Sequence, residues 1–215
     1  MDDHKNASGQ PAESAPSGRR LWVSIGAVLA FVGLAVGIFI VSDRYAEKTV
    51  SGFPNFQDYE FTLTDHTGRT ASPGRFAGRP VALFFGFTYC PDVCPTTMMN
   101  LAAARDALAE RGIDSTALQI LFVTVDPDRD TPQQLGEYLS LFDADVIGLT
   151  GDPPAVRDVL KRFGIYAQKV DQGDGDYIYD HSAAVFLYRA DGSFKGTIVH
   201  NEPADFIVEK LKSIL

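Results

Sequence analysis

The run "RPVALFFGFTYC" constrains the fold more than any other stretch of this chain. Val81 to Phe87 is apolar throughout, apart from Gly86. A strand with no polar face must be covered on both sides, which places it near the centre of an α/β sheet. The chain then changes character. "CPDVCPTTMMN" follows, with Pro95 suited to a first helical position and Cys94 to the N-cap before it. Leu101, Leu108 and the alanines between them predict a helix to about Glu110, and Gly112 is its natural stop. The only two cysteines, Cys90 and Cys94, therefore stand where a buried strand meets a helix.

The alternation continues. "LQILFVTVD" predicts a second buried strand, and "DTPQQLGEYLSLF" a helix that starts at Asp130 or Thr131 with Pro132 in its first turn. "VIGLT" predicts a strand, and "DPPAVRDVLKRFG" a helix opened by Asp152 and closed by Gly164. "YAQKV" and "YIYD" flank a turn rich in Gly and Asp. "SAAVFLYRADGSFKGTIV" predicts a hairpin turning at "ADGS", and "EPADFIVEKLKSI" a final helix capped by Asn201. Ahead of the core, "YEFTLTDHTGRTAS" predicts an entrance hairpin. This order is that of an α/β thioredoxin-like fold with an N-terminal hairpin and an inserted hairpin.

The N-terminal quarter has a different composition. Residues 1–20 are rich in Ser, Pro, Gly and Ala without periodicity, and predict a disordered tail. Residues 21–41 carry no charge over a length of about 31 Å as a helix, which matches a bilayer core. A cleavable signal peptide has a shorter apolar core and a small-x-small exit, whereas this run leaves through "FIVSDRYAEK". The expectation is one uncleaved transmembrane anchor. Arg19 and Arg20 before it place the N-terminus in the cytoplasm and the large C-terminal part outside. A linker over 42–51 then joins the anchor to one domain over 52–215. The net charge of −9 and the lack of any basic stripe exclude a nucleic-acid partner.

The two cysteines admit four roles: a staple, a redox pair, a nucleophile with its resolving partner, or metal ligands. A bridge across so short a loop constrains little of the unfolded chain. A helix N-terminus favours thiolate, the form that exchange chemistry and metal binding both need. Two thiolates alone select soft ions, with Cu(I) the leading candidate, and leave a four-ligand zinc site unfilled. Among the histidines, His4 lies in the tail, His66 in a turn expected to be solvated, and His200 between a strand and a helix. His181 precedes the strand "SAAVFLY", which should neighbour the one ending near Cys90, so it faces the cysteine turn as ligand or catalytic group. The cis-proline usual at this place in the fold is missing from "YDHSAA". Met98 and Met99 are read as packing, and Tyr89 as a rim residue able to cover the site. "DPDRDTPQQLGE" mimics a calcium loop at four positions, but Thr131 replaces the obligatory glycine and two prolines stiffen it.

"FGFTYCPDVCPTTM", "VTVDPDRDTP" and "DYIYDHSAAVFLYRADG", all behind one N-terminal anchor, together resemble the Sco/SenC family of copper-delivery proteins over about residues 52–215. The resemblance implies one copper, Cu(I) or Cu(II), held by Cys90, Cys94 and His181. Asp180 and Asp126 are the acids expected to support the ligands. It further implies a role in assembling the dinuclear copper site of cytochrome c oxidase subunit II, with copper received from a donor protein. The implied location is the bacterial cytoplasmic membrane with the domain in the periplasm, or the mitochondrial inner membrane facing the intermembrane space. A thiol-disulfide reductase or redox sensor using Cys90 and Cys94 as a redox pair is the alternative, with a disulfide between them in the oxidised state.

Overall fold

The computed structural model describes residue 25, residues 28–38 and residues 52–215. The chain falls into two units, Met1–Val50 and Ser51–Leu215. In the first, residues 28–38 are helical with exposed side chains. Among the described residues no helix is long and apolar enough to cross a membrane. The tail expected over 1–20, the linker over 42–51 and much of the anchor over 21–41 lie outside the described residues.

The second unit is a mixed α/β structure, and its elements are numbered from its own start. An entrance hairpin, β1 (Leu63–Asp65) and β2 (Thr70–Ala71), precedes β3 (Val81–Gly86). Then come α1 (Val93–Glu110), β4 (Gln119–Thr124), α2 (Pro132–Leu139), β5 (Val146–Thr150) and α3 (Pro153–Arg162). An inserted hairpin, β6 (Ala167–Gly173) and β7 (Asp176–His181), leads into β8 (Val185–Tyr188), β9 (Phe194–Ile198) and α4 (Ala204–Lys212). The main sheet runs β2-β1-β5-β4-β3-β8-β9, with β3, β4 and β5 parallel and the other pairings antiparallel.

Every residue of β3 and of β4 is buried, as the uninterrupted apolar run in each requires. Helices α1 and α4 pack against each other, and the set β3-α1-β4 followed by β8-β9-α4 forms the expected thioredoxin-like core. β6 and β7 pair only with each other, in a second, two-stranded sheet.

Three local expectations need correction. α1 starts at Val93 with Asp92 at its N-cap, so Cys94 and Pro95 are its second and third residues. Backbone N–H groups throughout the first turn lack an intrahelical acceptor, so Pro95 fits the third position as well as the first. Asn201 does not cap α4; it lies in a left-handed turn at φ +62° and Pro203 occupies the cap position. His66 is half-buried rather than solvated: its Nδ1 accepts from the Gly148 N–H at 3.1 Å, while Asp65 beside it is fully buried against Thr67, Arg69 and Arg75. Asp152 and Thr131 cap α3 and α2 as their sequences predict.

Candidate metal centre

Three side chains meet where β3 ends. Cys90 lies in the loop after β3, Cys94 in the first turn of α1 and His181 at the end of β7. One ligand atom from each lies within 4.8 Å of the others, and Cys94 Sγ is 3.7 Å from His181 Nε2. The pairing of β8 with β3, with Val185 opposite Phe84, explains the meeting. It brings the residues just before β8 back past the end of β3, where the cysteine loop departs.

The loop is folded so that a helix terminus addresses a sulfur. The Cys90 N–H donates to the Phe87 carbonyl at 3.2 Å. The Cys94 N–H, one of the unsatisfied donors of α1, donates to Cys90 Sγ at 3.3 Å. Both cysteines are free thiols, Cys90 half-buried and Cys94 buried. Their ionisation is asymmetric. The Cys94 thiol and the backbone N–H groups of Cys94 and Asp92 hold Cys90 down at about 4, against the effect of burial. Cys94 is driven far up, by its bond to Cys90, by burial and by the charge that Cys90 carries. One thiolate thus forms readily and the second proton is hard to remove without a cation.

The His181 ring is oriented by the main chain. Its Nδ1 lies 2.9 Å from the Ser182 carbonyl oxygen. A carbonyl only accepts, so Nδ1 carries the proton and Nε2 keeps its lone pair on the cysteine side. The group on Nδ1 is therefore the Ser182 carbonyl, while Asp180 is exposed and borders the same cleft as Cys90 and His181. Phe87 and Phe84 approach the imidazole edge-on, with centroids 5.7 and 6.3 Å away.

Asp126 is buried and makes no direct contact with Cys90, Cys94 or His181; Arg129 and the Tyr177 hydroxyl use its carboxylate. The acid that supports the cysteine loop is Asp130. It accepts from the Thr88 N–H at 3.1 Å, from the Thr88 hydroxyl at 2.7 Å and from the Thr124 hydroxyl at 2.6 Å. Burial pushes its carboxyl up and these bonds pull against that. With both acids engaged in this way, the segment from Asp126 is a strand end and helix cap and not a calcium loop.

Gly86 matters for a different reason. A Cβ there would lie 2.7 Å from Phe84, 3.0 Å from Cys94 Sγ and 3.0 Å from Phe122. The missing side chain is what lets the Cys94 sulfur close against the sheet. A glycine interrupting an apolar run four residues before a Cys-x-x-x-Cys motif was the available signal for it. For Asp130 the only signal was its place in "DPDRDTP", which also fitted other readings.

Met98 is fully buried in the core while Met99 is exposed on α1. Tyr89 is exposed and stacks with the Arg129 guanidinium. The Cys90 and His181 side of the centre opens into a cleft of about 210 Å³ that Val93, Ile178, Tyr179 and Ala183 also line. Cys90 and His181 therefore border an open cleft rather than a sealed cavity.

A family model described as SCO1/SenC matches residues 51–215. Protein SCO1 homolog 1, mitochondrial, of Arabidopsis thaliana is 35% identical over 150 residues, covering 69% of this chain and 44% of that protein. Protein SenC of Rhodobacter capsulatus is 37% identical over 166 residues, covering 75% of this chain and 74% of its own. Among solved structures, Bradyrhizobium japonicum ScoI with copper bound superposes with a TM-score of 0.67 at 36% identity, covering 73% of this chain and 98% of that one. The family match spans the whole folded unit and the sequence identity extends through it, so this chain belongs to the SCO1/SenC family.

Proposed function

We propose that residues 52–215 are a copper carrier that binds one copper ion through Cys90, Cys94 and His181 and helps to assemble the dinuclear copper site of cytochrome c oxidase subunit II. The observation that carries the reading is the convergence of two sulfurs and one imidazole nitrogen within 4.8 Å, with the Ser182 carbonyl keeping the nitrogen lone pair available. Two soft sulfur donors with one neutral imidazole satisfy three-coordinate Cu(I) and adapt to Cu(II). A structure of ScoI with copper bound, at 36% identity, supports the choice of metal. Copper is cargo here, loaded by a donor protein and released through the open cleft. Residues 21–41 tether the domain to the bacterial cytoplasmic membrane with the domain in the periplasm. The relatives also include mitochondrial proteins, for which the inner membrane facing the intermembrane space is the equivalent place.

A second reading is favoured by the contrast between the two thiols. Cys90 is the readily ionised, more accessible sulfur and Cys94 the buried one. In a thiol-disulfide reductase Cys90 attacks a partner disulfide and releases one partner thiolate. Cys94, once deprotonated, then displaces the second partner sulfur, leaving a Cys90–Cys94 disulfide and a reduced partner.

An anaerobic Cu(I) titration of the reduced protein separates the two readings. The carrier binds one equivalent tightly, loses affinity on the order of a thousandfold in Cys90→Ser or Cys94→Ser, and loses a large part of it in His181→Ala. Weak binding in every form, with fast exchange of the cysteine pair against dithiols, removes the carrier reading in favour of the reductase.

A further inference from the structure

The hairpin that bears His181 has no hydrogen-bonded partner strand outside itself among the described residues, so side chains must dock it. A two-stranded hairpin alone is marginal in water. At its far end, one residue of the β4–α2 loop makes most of the recorded contacts. Arg129 Nε donates to Asp126 Oδ2, and Arg129 Nη1 donates to Asp176 Oδ1 of the hairpin at 3.4 Å. Its guanidinium carbon lies 3.7 Å from the ring centre of Tyr177 on β7 and 4.4 Å from that of Tyr89, next to Cys90. The Tyr177 hydroxyl donates to Asp126 Oδ1 at 3.1 Å and closes the loop of contacts.

We propose that Arg129 is a positioning residue, which clamps the His181 hairpin to the cysteine turn and so sets where the imidazole stands. Tyr177, Tyr179 and His181 alternate along one side of β7. A run of ring contacts connects the clamp to the centre: Tyr177 to Tyr179 at 6.0 Å, Tyr179 to Phe87 at 5.9 Å, and Phe87 to His181 at 5.7 Å. The planar guanidinium suits this place because it faces two aromatic rings and two carboxylates together, which an ammonium point charge does not do. The hairpin side of the clamp, Tyr177 and Asp176, acts on the centre through the histidine, whereas its Tyr89 side holds the cysteine turn. The inference rests on the copper-carrier reading in its binding readout alone.

The test is a double-mutant cycle on Cu(I) affinity with Arg129→Gln and His181→Ala, joined to NMR of the metal-free protein. Arg129→Gln is expected to weaken Cu(I) binding about tenfold in the otherwise unchanged protein and less than about twofold where His181 is already Ala. In the metal-free protein it should abolish the ring contacts of His181 with Phe87. An equal loss in both backgrounds overturns the proposal, and so does unchanged affinity in the single variant. If His181→Ala leaves copper affinity intact, the three-ligand reading has failed and the metal-free spectra decide. Surviving contacts between His181 and Phe87 in Arg129→Gln then overturn the positioning role, and their disappearance upholds it. Should Arg129→Gln fail to fold, because it leaves Asp126 without its cation, Tyr177→Leu replaces it and removes the ring and hydroxyl contacts of the hairpin with Arg129 and Asp126 while leaving that ion pair in place. The same histidine-dependent loss is expected, and its absence overturns the proposal.

Discussion

The cysteine turn hangs from β3, which is hydrogen-bonded to β4 on one side and to β8 on the other, whereas the strand bearing His181 is hydrogen-bonded only to β6. The turn is welded to the domain by buried groups: the Asp130 carboxylate grips Thr88, and Cys94 sits beneath Gly86 in the core. The hairpin is exposed along most of β6 and is docked by Arg129, Tyr177 and the packing of Ile178 and Tyr179 on the core. Two ligands are thus positioned by the fold itself and the third by a satellite that side chains hold in place. Such an arrangement keeps two soft donors pre-organised and leaves the third adjustable, which suits the proposed carrier, whose site would both retain and release a metal ion.

The contrast can be broken most sharply through the thiols. Thiolate is the reactive form, and a depressed pKa preserves it as the pH falls. With Cys90 held at about 4 and Cys94 driven up, alkylation at pH 6 should modify Cys90 faster than Cys94 by about a hundredfold or more. The Cys90 rate per accessible sulfur should stay level down to about pH 5 and halve near pH 4, as followed by mass spectrometry of the two peptides. Equal labelling of both sulfurs would show that the turn does not impose the asymmetry.

Gly86→Ala tests the rigid side of the comparison. The new methyl group meets two rings and the Cys94 sulfur in a packed core, so a loss of about 2 kcal/mol in denaturant unfolding is expected. Weaker Cu(I) binding should accompany it, because the sulfur must move. Unchanged stability together with unchanged affinity would mean that the turn is as compliant as the hairpin.

The smallest effect belongs to the neighbour of the third ligand. Asp180→Ala removes an exposed carboxylate, while the Ser182 carbonyl still holds the ring. Copper affinity should change by less than about twofold. A tenfold loss would give Asp180 the supporting role that its place beside His181 led one to expect.

Much of this was legible in the chain. A strand with no polar face announces a central position, and the start and stop residues of α2 and α3 mark their ends because caps are local chemistry. The pair of cysteines after β3 and the histidine before β8 could be placed together for the same reason, since parallel and antiparallel neighbours of a central strand follow from element order. The support of the site was not legible in the same way. "DPDRDTP" offers three acids within five residues, and only the folded loop assigns Asp130 to Thr88 and Asp126 to Arg129. Asp180 was the supporting group suggested by its place beside His181, whereas the group found on the ring is the Ser182 carbonyl.

Composition, hydrophobic periodicity and cap chemistry act between residues a few positions apart, and these alone determined the α/β class and the order of the elements, while the family resemblance singled out Cys90, Cys94 and His181 as the expected ligands. The grip of Asp130 on Thr88, the meeting of His181 with Cys94 and the Arg129 clamp on the hairpin depend on groups brought together from distant parts of the chain. Only the tertiary structure decided those, because hydrogen bonds and steric contacts act over a few ångströms in space whatever the separation in sequence.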